Sequence, residues 1–398
     1  MGIRRERLRP VRAFTFVITA LLIFLGTGRK MSTPKPPQPR SEIDLRSFGY
    51  QPLKRTFLSN EEYFRKLPLF KDEATRIVFT DDNTLAVFFT RSNESEASQA
   101  NESEISTALQ LNALFIDLSK KNLRGQQSWP TKKRRWVNDS FDSQSRILSA
   151  HDGKFLVYAE DRLRVYSPEF KLLRERPMPM IGGQEAEMWA LEVTPPGDVG
   201  LLRHLREGET EDEWVDVDSL RTLYSSIGLG GIFTASARAI VEKSYDTFRI
   251  YPIGEAPHVM CSGGFCDRNS YPLFLSDAEI LSCSWQGFAV LSTRGEILWS
   301  RKQNLKNNCG IIAKRSLDGS RFALQVGCQK ELLFDNVQLR PRDTLMIYDR
   351  AARSLVFSLH LDDQAREQGF ALSPDGTLLA VLSDTRVEVY DLPIGGKN

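Results

Sequence analysis

Short apolar runs separated by polar turns recur along most of the chain after residue 75. In the final copy, Phe370 to Leu392 (FALSPDGTLLAVLSDTRVEVYDL), two apolar runs flank Pro374-Asp375-Gly376, and Pro, Asp and Gly at these positions favour a tight turn. Its last part, RVEVY, alternates valine with other residues, which is the period-2 pattern of a β-strand. The pattern predicts an antiparallel pair of strands followed by a third strand.

The same unit is repeated along the chain. Two further copies are clear, Leu148 to Leu173 and Leu317 to Ala351. Four weaker copies follow the same outline at Phe79 to Leu118, Glu192 to Tyr224, Ala235 to Ile253 and Phe274 to Trp299. Taken together, the seven units place one turn residue each at Asp81, Asp152, Gly197, Ser236, Asp277, Asp318 and Asp375.

Most of these turn residues are separated by roughly 40 residues, the period of four-stranded β-propeller blades. The two longest intervals contain polar insertions, Arg91 to Thr107 and Gln329 to Arg342, which belong in surface loops. The sequence therefore predicts an all-β fold, a seven-bladed β-propeller of four-stranded antiparallel blades. Part of Phe48 to Leu58 is expected to complete the last blade as an N-terminal strand, since ring closure removes a free sheet edge.

The best-preserved unit resembles a known family. The turn Ser373-Pro374-Asp375-Gly376 and the strand end Val389-Tyr390-Asp391 are similar to blades of the WD40 and YVTN-type β-propeller superfamily. At the level of pattern the resemblance covers residues 76 to 393, and the family's Gly-His and Trp-Asp dipeptides are absent. It implies a divergent repeat propeller with a protein-binding role.

The N-terminal segment predicts export. Five arginines, at positions 4, 5, 7, 9 and 12, precede an uncharged apolar run from Ala13 to Gly28. This is the layout of a signal peptide or a membrane anchor, and its length does not decide between them. We therefore expect a hydrophobic helix within residues 1–28, a Pro-rich linker over residues 29–47 and a propeller domain over residues 48–398. The protein would be secreted, or anchored in the membrane by residues 13–28.

All five cysteines lie between Cys261 and Cys328, in a chain that is expected to reach an oxidising compartment. Cys261 and Cys266 are interpreted as a loop disulfide or as two free thiols. Cys309 and Cys328 flank the turn Leu317-Asp318-Gly319-Ser320. If Leu317 faces Ser320 across a two-residue loop, counting outward along both strands places Cys309 directly opposite Cys328. A disulfide between them is predicted, with two buried, reduced thiols as the alternative.

Neither the composition nor any motif identifies a catalytic, metal-binding or cofactor-binding site. The 53 basic and 51 acidic side chains leave a formal net charge of +2, so no global field favours nucleic acid. The four histidines are far apart in sequence, and no nucleophile elbow, zinc-ligand spacing or phosphate-binding glycine loop is present. We predict no catalytic residue, no metal ligand and no cofactor.

One local cluster of charge could bind a partner. Lys132, Lys133, Arg134 and Arg135 stand between Trp129 and Trp136, and basic groups beside aromatics can hold an anion. A solvated loop is the alternative interpretation.

The sequence thus predicts a noncatalytic extracytoplasmic propeller that acts as a binding or scaffold module for a protein, peptide or glycan. The alternative is an enzyme, a hydrolase, lyase or oxidoreductase, whose site is assembled from loops at the channel mouth. Membrane contact is expected only through the N-terminal segment, and nucleic acid is not an expected partner.

Overall fold

The computed structural model contains almost only β-strands in the part of the chain that it describes. That part comprises residues 37–50, 75–92, 109–130, 146–178, 180–181, 184–185, 187–206, 209–227, 232–267, 270–284, 286–303, 309–328, 344–361 and 365–393. Within it the only helical segments are two short 3-10 turns, Leu45–Phe48 and His151–Gly153. No helix of the described residues is long and apolar enough to cross a membrane. The expected hydrophobic helix and residues 29–36 of the expected Pro-rich linker lie outside these residues.

Seven four-stranded antiparallel sheets make up the fold, and each is one blade. A short strand, β1 (Ser41–Asp44), precedes the first blade. Blade 1 contains β2 (Arg76–Asp81), β3 (Thr84–Ser92), β4 (Leu109–Asp117) and β5 (Asn122–Pro130), and blade 2 contains β6 (Arg146–Ser149), β7 (Phe155–Ala159), β8 (Arg162–Tyr166) and β9 (Leu172–Pro177). A small hairpin of β10 (Met180–Ile181) and β11 (Gln184–Glu185) follows. Blade 3 contains β12 (Glu187–Val193), β13 (Val199–Arg206), β14 (Glu209–Asp216) and β15 (Thr222–Ile227).

The remaining four blades repeat the arrangement. Blades 4 and 5 contain β16 (Ile232–Ala235), β17 (Ala239–Ser244), β18 (Thr247–Pro252), β19 (His258–Ser262); and β20 (Tyr271–Ser276), β21 (Glu279–Ser284), β22 (Gly287–Ser292), β23 (Ile297–Lys302). Blades 6 and 7 contain β24 (Cys309–Arg315), β25 (Arg321–Cys328), β26 (Thr344–Asp349), β27 (Ser354–His360); and β28 (Ala365–Leu372), β29 (Leu378–Ser383), β30 (Arg386–Asp391). The sequence-based prediction of a seven-bladed propeller is confirmed.

The N-terminal strand completes the last blade. β1 pairs antiparallel with β30, and the order in this sheet is β1-β30-β29-β28. A closing strand was expected, but its position was predicted wrongly within Phe48 to Leu58. Phe48 lies in the 3-10 turn that follows β1, and residues 51–58 lie outside the described part. The closing segment is shorter than expected, and only Ser41 and Ile43 face inward along it.

Apolar side chains form one core cluster at each interface between neighbouring blades. The described residues contain seven such clusters, which join blades 1 and 2, 2 and 3, and so on around to blades 7 and 1. The cluster between blades 7 and 1 includes Phe79, Leu85, Leu382 and Val387, all nearly or fully buried. Because this last interface is packed like the others, the blades form a closed ring.

The first strand of each blade lines the centre of the ring. First strands of neighbouring blades lie side by side, as β2 does with both β6 and β28. Six of the seven turn residues predicted from the sequence lie between the first and second strands, and the seventh, Asp81, is the last residue of β2, so these turns share one end of the propeller. A hydroxyl at the end of the first strand fixes the turn in several blades. Ser373 Oγ donates to Asp375 at 2.6 Å and accepts from the Leu378 N–H at 2.9 Å.

Strand register agrees with the cysteine prediction. β24 and β25 pair so that Cys309 lies opposite Cys328, with Arg315 opposite Phe322 near the turn. The side chains of both cysteines lie outside the described part of the structure, so the predicted bond stays a prediction. A different pair, Cys261 and Cys266, is bonded in the loop after β19, with 6.1 Å between the two Cα atoms.

Candidate functional site in the central channel

Charged side chains interrupt the apolar pattern of the inner strands. Most inner-strand residues are aliphatic or aromatic and pack between blades, yet six described residues in five blades are polar and reach the centre. We call these six the channel cluster: Arg76, Arg146, Glu192, Thr234, Lys314 and Arg315. Four are basic and one is acidic, so the cluster carries an excess of positive charge.

Glu192 is held by groups from several blades. Thr234 of blade 4 donates its hydroxyl to Glu192 Oε1 at 3.1 Å, and accepts the Phe274 N–H of blade 5 at 3.3 Å. Burial raises the pKa of Glu192, while the charges of Arg315 and Arg146 act in the opposite direction. The carboxyl therefore lies within electrostatic reach of two guanidinium groups.

Lys314 is enclosed between blades 6 and 7. Its ammonium group donates to the Phe370 carbonyl at 2.7 Å and lies 4.6 Å from the centroid of the Phe370 ring. Burial, and after it the charge of Arg76, lowers the pKa of Lys314 to about 7. This amine consequently exchanges its proton near neutral pH.

Two arginines of the cluster contain buried nitrogen atoms without an acceptor. Nε of Arg146 and Nε of Arg315 are both buried and make no hydrogen bond with any residue that the structure describes. Burial also lowers the pKa of Arg146 to about 10, and nearby Arg76 acts in the same direction. A buried donor without an acceptor is costly, which makes these two atoms candidate contacts for a ligand.

The channel is crossed at the end where the first and second strands turn. Arg315 of blade 6 donates to the Val193 carbonyl of blade 3 at 2.6 Å. Leu317 packs against the core cluster of blades 2 and 3, and a methyl group added at Gly197 would lie 3.0 Å from Leu317 Cδ2. Blades 3 and 6 are not neighbours in the ring, so these contacts span the axis. They form a floor beneath the channel cluster.

None of the residues singled out from the sequence is a member of the channel cluster. Lys132, Lys133, Arg134 and Arg135 fall outside the described residues, and Cys309 and Cys328 occupy the opposite end of their strands from Arg315. The sequence analysis did not identify the channel cluster. Its signal was the occurrence of single charged residues in short apolar strands, as in RIVFT, RILS and IIAKRS. Among the described residues, no group of three or more His, Cys, Asp or Glu side chains could hold a metal ion.

The solved structures that resemble this chain share little sequence with it. No protein-family model matches it, and no curated protein matches it in sequence. The C-terminal WD40 domain of Sif2 is 12% identical, with 82% of this chain and 97% of that chain covered and a TM-score of 0.42. A chain of a mitotic checkpoint complex is 12% identical over 98% of both chains, with a TM-score of 0.49. BamB from Moraxella catarrhalis is 12% identical, with 79% of this chain and 84% of that chain covered and a TM-score of 0.40.

Proposed function

We propose that this divergent β-propeller is a noncatalytic extracytoplasmic binding module that holds a protein, peptide or glycan partner. The observation that carries the proposal is the channel cluster, in which basic groups outnumber the acidic group and two guanidinium nitrogens have no acceptor. Such groups are costly inside a protein unless a partner satisfies them. A closed ring of blades supplies a rigid scaffold for them.

The proposed location rests on two features. The arginines before the apolar run Ala13 to Gly28 have the layout of an export segment. The bond between Cys261 and Cys266 is of a kind that persists in oxidising compartments and is rare in the cytosol. Both support a propeller that works outside the cytoplasm.

Export is tested with a reporter that is active only outside the cytoplasm, fused after Asn398 of the full chain. We expect activity from this fusion, and loss of activity when Leu21 and Leu22 are both replaced by Arg, because charges interrupt the apolar run. A variant with two arginines at Ser32 and Thr33, beyond the run, is the matched control and should stay active. A well-expressed but inactive wild-type fusion would contradict the proposed location.

Binding is tested with the exported, purified protein on peptide and glycan arrays. We expect saturable binding of one ligand class, with the ligand recovered chemically unchanged. Conversion of the bound ligand would instead favour the second candidate function.

That second candidate is an enzyme with its site in the channel, and one observation favours it. Lys314, with a pKa lowered to about 7, could accept or donate a proton at neutral pH in an enclosed site that also contains Glu192. In this case the Lys314→Met variant would no longer convert the ligand.

A further inference from the structure

We propose that the channel cluster is a binding site for an oxyanion, a carboxylate or phosphate group at the end of a ligand. The ligand would enter from the end of the channel opposite the floor formed by Arg315 and Leu317. This inference rests on the proposed function as a binding module and specifies the chemistry that the module recognises.

The hydrogen-bonding capacity of the cluster requires an acceptor. Nε of Arg146 and Nε of Arg315 are buried and have no hydrogen-bond acceptor among the described residues, although Arg315 donates from both terminal nitrogens to backbone carbonyls. Guanidinium groups match the planar, two-oxygen geometry of carboxylates and the oxygens of phosphate. An oxyanion would satisfy these donors, whereas a neutral sugar or an apolar side chain would not neutralise their charge.

The balance of charge leads to the same class of ligand. Arg76, Arg146 and Arg315 carry guanidinium groups, which stay protonated in proteins, and Glu192 is the single acidic side chain of the channel cluster. Glu192 is already engaged by Thr234. Coulomb attraction is strong inside an enclosed channel, so an incoming anion would gain more there than at the solvated surface.

The floor restricts how the ligand enters. Because Arg315 bonds to Val193 and Leu317 contacts blade 3 across the axis, a chain could not pass through this end without breaking those contacts. The site is therefore suited to a terminal anionic group that enters from one side. Lys314, Arg146 and Glu192 retain some accessible surface although protein surrounds them, as expected for side chains that face an open lumen.

The site is tested by calorimetric titration of the full chain, purified in a nonionic detergent, with citrate and separately with inorganic phosphate. Sodium chloride at matched ionic strength is the blank. We expect saturable binding of at least one anion, and the tighter of the two indicates whether carboxylate or phosphate is the natural group. No binding of either anion would overturn the inference while leaving the export result unaffected.

Four variants, one of them a control, test whether binding occurs in the channel. Arg146→Gln should weaken binding by about 10- to 100-fold because it removes a charged donor. Arg146→Lys, which retains the positive charge but not the planar guanidinium group, should recover part of the lost affinity. Arg174→Gln is the matched control, since Arg174 is exposed on the outer strand of the same blade and should not affect binding. If Arg146→Gln misfolds, Lys314→Met tests the same site. Equal binding by wild type, a folded Arg146→Gln and Lys314→Met would overturn the inference.

Discussion

At the scale of single residues, Lys314 shows how burial changes the protonation of a charged side chain. Its ammonium group donates to the Phe370 carbonyl and lies over the Phe370 ring. Burial makes the charged form costly, which is why the pKa of this lysine is lowered to about 7. Residues that are kept at such a cost are often functional.

The first prediction follows from this cost. Lys314→Met should raise the free energy of unfolding at pH 7 by about 2 kcal/mol, since the variant buries no charge. The folded pKa of Lys314 lies below the ordinary value of 10.5, so between pH 7 and 10.5 the native wild-type protein holds fewer protons than the unfolded chain. Wild-type stability therefore gains with rising pH from this residue, and the advantage of the variant should shrink over that window.

Urea unfolding from pH 6 to pH 10 measures this difference. Taking variant minus wild type at each pH isolates Lys314, because Glu192 and the buried thiol of Cys283 titrate in both proteins. Lys302→Met, at an exposed position on β23, is the control and should change stability little at any pH. A difference that stays constant with pH would show that Lys314 has an ordinary pKa.

At the scale of strands and turns, the features that depend on neighbouring residues were predicted correctly from the sequence. The turn residues Asp318 and Asp375 were placed correctly because Ser and Asp side chains at these positions bond to the nearby backbone and favour a turn. Ser316 donates to Asp318 at 2.6 Å and accepts from the Arg321 N–H at 3.1 Å, as Ser373 does in blade 7. This turn also fixes the pairing of β24 with β25.

The channel cluster could not be predicted in the same way. A single charged residue in an apolar strand, such as Arg146 in RILS, identifies an unusual position but not what surrounds it. Whether it meets Glu192 or solvent depends on which strand is innermost and on how the blades close. The contact of Arg315 with Val193 joins residues of blades that are not neighbours, so no repeat pattern contains it.

The second prediction concerns Cys309 and Cys328, whose backbones lie opposite each other on β24 and β25. Directly opposed strand residues have Cα atoms about 4.5–5.5 Å apart, which is within the range of a disulfide. Mass spectrometry of the exported, unreduced protein should detect a Cys309–Cys328 peptide together with the Cys261–Cys266 loop. The second bond acts as the internal control for oxidation. Recovery of the Cys261–Cys266 bond alone would show that Cys309 and Cys328 are reduced.

At the scale of the whole molecule, a four-residue strand closes the ring. The sequence analysis favoured part of Phe48 to Leu58 for this role because that segment has strand-like residues. The observed strand is short, but all four of its residues pair with β30. Arg40 adds an ion pair with Asp391 at 3.1 Å, and the Leu45 N–H bonds to the Thr385 carbonyl at 2.9 Å. The closing strand comes from the other end of the chain, which ties the first and last blades together.

The last prediction tests that closure. Ile43 is buried in the cluster between blades 7 and 1, whereas the neighbouring Glu42 is exposed on the other face of β1. Ile43→Ala should lower the free energy of unfolding by about 2–4 kcal/mol through the lost burial and the cavity, and Glu42→Ala should change it by less than about 0.5 kcal/mol. Because β1 protects the edge of β30, we also expect faster hydrogen exchange of β30 amides in Ile43→Ala, while β17 and β18 of blade 4 stay protected. Equal loss of protection in blade 4 would indicate general unfolding, and unchanged exchange in β30 would show that β1 does not hold the ring closed.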